Sequence, residues 1–156
     1  MDEIPKEYEE TIDKEIACYI KKGNIDYFIS LFKKFEDDET YIVTWNWWAF
    51  FFPILYFLYR KAYLHAMLMF LIRIVLIKIW FGGILLGIGA GMFANYMIYK
   101  NFIKLKAKAQ SQFGDEDKVL EFICQEGGIN KLAVVLGIFV AGANIVGVLA
   151  IIQSYM

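Results

Sequence analysis

Arg73 stands in the middle of a run that otherwise suits hydrocarbon: residues 62–80 read AYLHAMLMFLIRIVLIKIW. An arginine there is expected to face a bundle interior or a wet cavity, or to snorkel towards the headgroups. Asn95 and Asn144 also lie inside apolar stretches, and either of them, or a backbone carbonyl, is a candidate to meet Arg73. The chemistry open to such a set is a polar path for an ion or small solute; an arginine held by a partner protein fits the same residues. His65 is the only histidine, just behind Arg60 and Lys61, and metal binding would need further ligands. The acid runs 36–39 and 115–117 lack the glycine and alternating spacing of a calcium loop. They read as a solvated charge run and a helix N-terminus. No G-x-S-x-G, P-loop, H-E-x-x-H or paired-cysteine zinc pattern is present. The expectation is a protein with no catalytic residue, metal or cofactor.

A second pattern is physical rather than chemical. Gly83, Gly87, Gly91 and Asn95 recur at every fourth residue, which makes one smooth helix face. Gly137 with Ala141, and Ala143 with Gly147, repeat the theme near the C-terminus. Small residues let helix backbones approach in lipid, where hydrophobicity supplies no drive between helices. Packing within the chain and self-association both use such a face.

These residues must be carried by elements suited to lipid. The chain has 156 residues, of which 59% are hydrophobic and 18% aromatic, and its mean hydropathy is +0.47. An ordinary soluble domain is roughly 45–50% apolar. The net charge of −1 hides a dipolar chain, because residues 1–40 hold twelve acids and six lysines whereas the remainder holds ten basic groups and five acids. Run 62–80, at 1.5 Å per residue, spans roughly 28 Å, near the thickness of a bilayer core. Arg73 costs roughly 2.5–3.5 kcal/mol there, which the surrounding Leu, Ile, Phe and Val side chains offset. FGG at 81–83 then makes a turn, and an uncharged stretch follows to Tyr99. Arg60 and Lys61 precede this hairpin, and Lys100, Lys104, Lys106 and Lys108 follow it. The positive-inside rule puts both clusters in the cytoplasm. The basic residues therefore read as membrane orientation and not as nucleic-acid binding. Residues 131–156 form a third expected span, with Met156 outside.

The polar parts read as helices too. Tyr8, Ile12, Ile16, Tyr19 and Ile20 make an amphipathic stripe over 6–22, closed by Gly23-Asn24; Ile25, Phe28, Ile29, Phe32 and Phe35 make a second over 25–36. Asp115 is the expected N-cap of a helix with Val119, Phe122 and Ile123 inward, ended by Gly127-Gly128. The start MDEIPKEYEE has no apolar signal region, so this head is expected on the side where it is made. Cys18 and Cys124 then fall in the cytoplasm, where two reduced thiols are expected.

Between head and hairpin lies WNWWAFFFPILYFLYRKAY, residues 45–63. Trp and Tyr favour the headgroup level, and Pro53 starts or breaks a helix. A short helix in or dipping into the cytoplasmic leaflet is expected; a crossing helix kinked at Pro53 is the alternative. This stretch, with GAGMFANYMIYKNFIKLKAKA at 89–109, resembles the domain-of-unknown-function family 2628 of small bacterial membrane proteins. The resemblance rests on Asn46, Trp47, Ala49, the phenylalanines Phe50, Phe51 and Phe52, Pro53, Tyr59, Arg60, Lys61 and Tyr63, then Ala94, Asn95 and Tyr96. The family's glycine before the proline is missing here. The resemblance implies a bacterial inner-membrane protein and no particular activity.

The fold expected is all-α and polytopic: three transmembrane helices, an aromatic-rich interfacial or re-entrant helix, and a small cytoplasmic helical head. Its parts are a head at 1–40, a membrane region at 41–130 (interfacial helix 41–60, hairpin 62–99, amphipathic segment 100–130) and a last span at 131–156. Expected partners are the lipid bilayer and other membrane proteins or a second copy. The function expected is that of a protein-binding accessory or assembly subunit, with a conduit as the alternative.

Overall fold

The computed structural model describes residues 10–37, 41–76, 79 and 81–139. Among the described residues seven helices follow one another: α1 Thr11–Ile20, α2 Ile25–Asp37, α3 Trp47–Phe51, α4 Pro53–Tyr59, α5 Tyr63–Val75, α6 Gly82–Gln112 and α7 Glu116–Glu126. A further helical run occupies 131–139, and the described residues contain no strand. The chain is all-helical.

α6 is the spine. Its 31 residues reach roughly 46 Å at 1.5 Å each, and its two halves serve different neighbours. The first half buries small residues, Gly87, Ala90, Gly91 and Ala94, so that α3 can lie close. The second half buries Ile98, Tyr99, Phe102 and Ala109 among α1, α2 and α7. On α2, the phenylalanine stripe meets α6 ring against ring: Phe32 lies 5.3 Å from Tyr99 and 5.6 Å from Phe102, and Phe35 lies 5.4 Å from Tyr96. From α1, Ile16 and Ile20 enter the same core. The head helices thus have no separate core; they share one with the end of α6 and with α7. Lys33 holds α2 to α1 through Glu10 at 2.7 Å and Asp13 at 2.9 Å.

Local signals explain the helix ends. Asn46 caps α3, its Oδ1 accepting from the Ala49 N–H at 3.0 Å. Pro53 opens α4, where its missing N–H costs nothing. Asp115 caps α7 through the Asp117 N–H, and Asn130 caps the run from 131 through the Ala133 N–H at 2.9 Å. The chain leaves α1 through Lys21 and Gly23, both at positive φ, a conformation glycine adopts freely.

The expectation of three spans is corrected to two: among the described residues the helices long and apolar enough to cross a membrane are Gly82–Gln112 and Glu116–Phe139. The second is interrupted at 127–130, so its apolar part starts at 131. α5 has 13 residues, roughly 20 Å, against the roughly 30 Å of a bilayer core. The α-helix ends at Leu76, which begins a chain of tight turns: the Ile79 N–H donates to Leu76 and the Gly82 N–H to Ile79. The reversal therefore begins well ahead of FGG, and Gly82 already belongs to α6. Ile77, Lys78 and Trp80 lie outside the described residues, as do 1–9, 38–40 and 140–156.

The surface divides sharply. The exposed large hydrophobic side chains lie on α3, α5, the first half of α6, 131–139 and the short segments that flank α3 and α5; Trp48 is 72% exposed, Val75 77% and Phe139 72%. On α1, α2 and α7, Tyr27 alone among the described residues joins that group.

Candidate functional site

The motif residues converge where the apolar half meets the helical head. Asn46, at the end of the non-helical residues 41–46, works in three directions. Its backbone N–H donates to the Gly91 carbonyl of α6 at 2.8 Å, and its Oδ1 caps α3. With Oδ1 so committed, Nδ2 points away and donates to Asn95 Oδ1 at 2.8 Å and to the Tyr56 hydroxyl at 3.0 Å. Asn95, only 1% exposed, donates in turn to the Tyr27 hydroxyl and to Thr44 Oγ1, both at 3.2 Å. One amide pair thereby joins α2, α3, α4 and α6, with its members satisfied as buried polar groups must be.

Asn46→Ala is expected to destabilise by about 2–3 kcal/mol, from a lost cap and from Asn95 Oδ1 left without its donor. Asn46→Ser keeps a capping oxygen and loses the donation, so it should fall in between. Unfolding of the three proteins in mild detergent checks this. A serine variant as stable as the parent would show that the amide pair contributes nothing.

Arg60 and Lys61 each cap a helix of the head. Arg60, 9% exposed, donates from Nη1 to the Ile20 carbonyl at the end of α1, at 3.0 Å. Its guanidinium lies over Phe28, 5.0 Å from the ring centroid, and beside Tyr59 at 5.7 Å. Lys61 donates to the Glu126 carbonyl at 3.1 Å and to the Gly127 carbonyl at 2.7 Å, at the end of α7. Both cations sit at the negative end of a helix dipole. Lys61 holds φ at +55°, a strained value for a side-chain-bearing residue, so this position needs the lysine's reach more than glycine's freedom. The Tyr59 carbonyl accepts from the Asn130 N–H at 2.8 Å. Trp47 and Phe51 are exposed on α3 and stacked on each other, 6.0 Å apart. A cavity of about 840 Å³ opens between these elements, with the Trp45–Trp48 stretch on one side and Arg60 on another.

The glycine face serves two neighbours. A Cβ on Gly87 would stand 2.6 Å from the Phe50 carbonyl oxygen, and one on Gly91 would stand 3.2 Å from the Phe50 Cβ. Both therefore lie against α3. Gly83 instead faces Arg73 Nη1 of α5 at 3.4 Å. Leu86, off the glycine register, is buried as well. A Cβ on Gly137 would meet Leu55 and Leu58 of α4 at 2.9 and 3.0 Å. Arg73 lies on the exposed side of α5, and the expected Arg73–Asn95 meeting does not occur, because the Asn95 side chain is committed to Asn46, Tyr27 and Thr44. Asn144 and Ala141 lie outside the described residues. His65 rests on Phe57, 5.6 Å away, with its Nδ1 3.4 Å from Asn101 Nδ2.

The cysteines overturn an expectation. Cys18 and Cys124 form a disulfide, their Cα atoms 4.6 Å apart, because α1 and α7 pack side by side. Nothing in a separation of 106 residues signals that contact. The same packing pairs Lys106 of α6 with the buried Glu15 of α1 at 2.6 Å, a pair that reading the lysines as membrane orientation alone had missed. The Tyr19 hydroxyl donates to the Ile98 carbonyl at 3.3 Å, and burial pushes its phenol well above the usual tyrosine range, so it stays a neutral donor.

These observations define an all-helical protein whose apolar half is tied to a polar helical head by asparagine and arginine contacts. A family model described as "Protein of unknown function (DUF2628)" matches residues 20–107, so the chain belongs to that family. The matched region holds Asn46, Asn95, Arg60 and Lys61, and leaves out both cysteines. No curated protein and no solved structure matches the chain.

Proposed function

We propose that the chain is an integral protein of the bacterial inner membrane that holds a rigid helical head at the cytoplasmic face as a docking module for other proteins. The observation that carries this reading is the divided surface. A buried core helix can pass the same length test as a membrane helix, but a core helix does not leave Ile84, Leu85, Leu132 and Phe139 exposed as these two do. Lipid is the medium suited to that half. In this reading the short α5 and the turns after it carry the chain to the far side, α6 brings it back and the run from 131 crosses again, with α3 and α4 embedded beside them and Met156 outside. The head, with residues 1–40 and the 100–130 segment, lies on the side that the lysine bias favours.

The docking role is supported by how firmly the head is fixed. The Arg60 and Lys61 caps hold α1 and α7 to the apolar half, and the Lys106–Glu15 pair holds α1 to α6, a design suited to presenting a fixed polar surface. A conduit through Arg73, Asn95 and Asn144 draws no support from the geometry, since Asn95 is committed elsewhere and Arg73 lies on the exposed side of α5. Gentle solubilisation of native membranes tests the role. A stoichiometric partner is expected to co-migrate with the chain and to be lost when exposed charges of α2 and α7, such as Lys34 and Glu121, are reversed. A lone monomer under those conditions would contradict it.

A further inference from the structure

The cavity beneath the tryptophan-rich stretch has chemistry graded from one end to the other. Its apolar wall is made by Trp45, Trp47, Trp48, Phe52, Leu55 and Ile138. Its other end holds Arg60 and Lys22, and among the described residues no acidic side chain lines it. At about 840 Å³ it lies within the roughly 300–1,000 Å³ of sites that enclose small organic ligands.

Arg60 is the group that asks for a ligand. It is more than nine-tenths buried, and no carboxylate among the described residues pairs with it. Its Nη1 is used on the Ile20 carbonyl, its guanidinium also meets the neutral Tyr56 hydroxyl, and its Nε is buried without a hydrogen-bond partner. The Phe28 and Tyr59 rings offset part of the charge but accept no N–H hydrogen bond of full strength. A buried cation is stabilised most by an anion that also takes up its free donors. Asn46, Asn95 and Tyr56, by contrast, already bond one another. The unmet demand along the lining is therefore anionic at one end and apolar at the other.

We infer that this cavity binds one anionic membrane phospholipid, its phosphate at Arg60 and Lys22 and an acyl chain along the tryptophan wall. A free phosphate would leave that wall in water, so the occupant is a lipid. Basic pockets at the cytoplasmic boundary of membrane helices are known to take such headgroups. The inference rests on the membrane reading above.

The test uses the full chain reconstituted in phosphatidylcholine vesicles, with phosphatidylglycerol carrying brominated acyl chains added as the probe. Bromine quenches nearby tryptophans, so quenching of the wall reports occupancy. Expected is about tenfold preference for brominated phosphatidylglycerol over brominated phosphatidylcholine, the worth of one charge-assisted contact. Arg60→Gln should reduce the preference to twofold or less, and inorganic phosphate should not displace the lipid. Because Arg60→Gln also loses a helix cap, Lys22→Glu at the exposed rim is measured beside it. That variant should weaken the preference in a protein that still folds. Equal quenching by the two lipids, displacement by inorganic phosphate, or a preference unchanged in Lys22→Glu would overturn the inference. A chain that does not enter vesicles at all would instead overturn the membrane reading, which separates the two failures.

Discussion

Gly87→Leu is expected to push α3 off α6 and to destabilise the protein by about 3 kcal/mol or more. The first atom added would already stand 2.6 Å from the Phe50 carbonyl oxygen. That oxygen belongs to backbone and cannot turn aside as a side chain would. Moving it means moving α3, and one turn further along the Asn46 N–H is bonded to the Gly91 carbonyl. Overpacking of this kind costs typically 1–3 kcal/mol, and more where backbone must yield. Helix propensity acts the other way, since glycine is about 1 kcal/mol worse than the best helix formers. Packing outweighs it. Gly89 is the control, with nothing within 4 Å of an added Cβ, so Gly89→Leu should be neutral or stabilising. Leu86, being buried, cannot serve as a lipid-facing control. Thermal unfolding in mild detergent separates the cases, and a Gly87→Leu protein as heat-resistant as the parent would show that α3 does not rest on this face.

Reduction of the Cys18–Cys124 bond is expected to cost the oxidised protein about 4–5 kcal/mol. The bond closes a loop of 106 residues, and the chain-entropy model assigns about 4.7 kcal/mol to a loop of that size. Unfolding of the α1–α7 pair should therefore shift strongly with reductant, and Cys18→Ser should match the reduced parent. The bond also bears on orientation. The proposed orientation puts the head in the cytoplasm, where thiols are kept reduced. In that orientation a permeant alkylating reagent should label both cysteines in intact cells without reductant, and the bond should close on purification in air. Labelling only after reductant would place the head in an oxidising compartment and invert the orientation.

What the sequence disclosed, and what it did not, follows from the range of each interaction. The Phe28, Phe32 and Phe35 stripe, the Asp115 cap and the start of α4 at Pro53 are decided within a few residues, so spacing alone exposes them. The contacts that tie the halves together are long-range. Asn46 and Asn95 are 49 residues apart, and Lys61 reaches Gly127 across 66. The charge of Arg60 and Lys61 was readable as a topological signal, but their use as helix caps needed the position of α1 and α7. Hydropathy likewise measured how well 62–80 suits lipid, not where its helix stops. α5 ends where the backbone begins its reversal at Leu76.

The central claim is that the apolar half lies in lipid and the head in water. With Cys18 and Cys124 kept oxidised, a spin label placed by Leu71→Cys on α5, or by Lys118→Cys on α7, reports each side in the protein reconstituted in vesicles. The label at 71 should be relaxed preferentially by oxygen, which concentrates in hydrocarbon, and the label at 118 by a water-soluble nickel chelate. Relaxation by nickel as strong at 71 as at 118 would contradict the account.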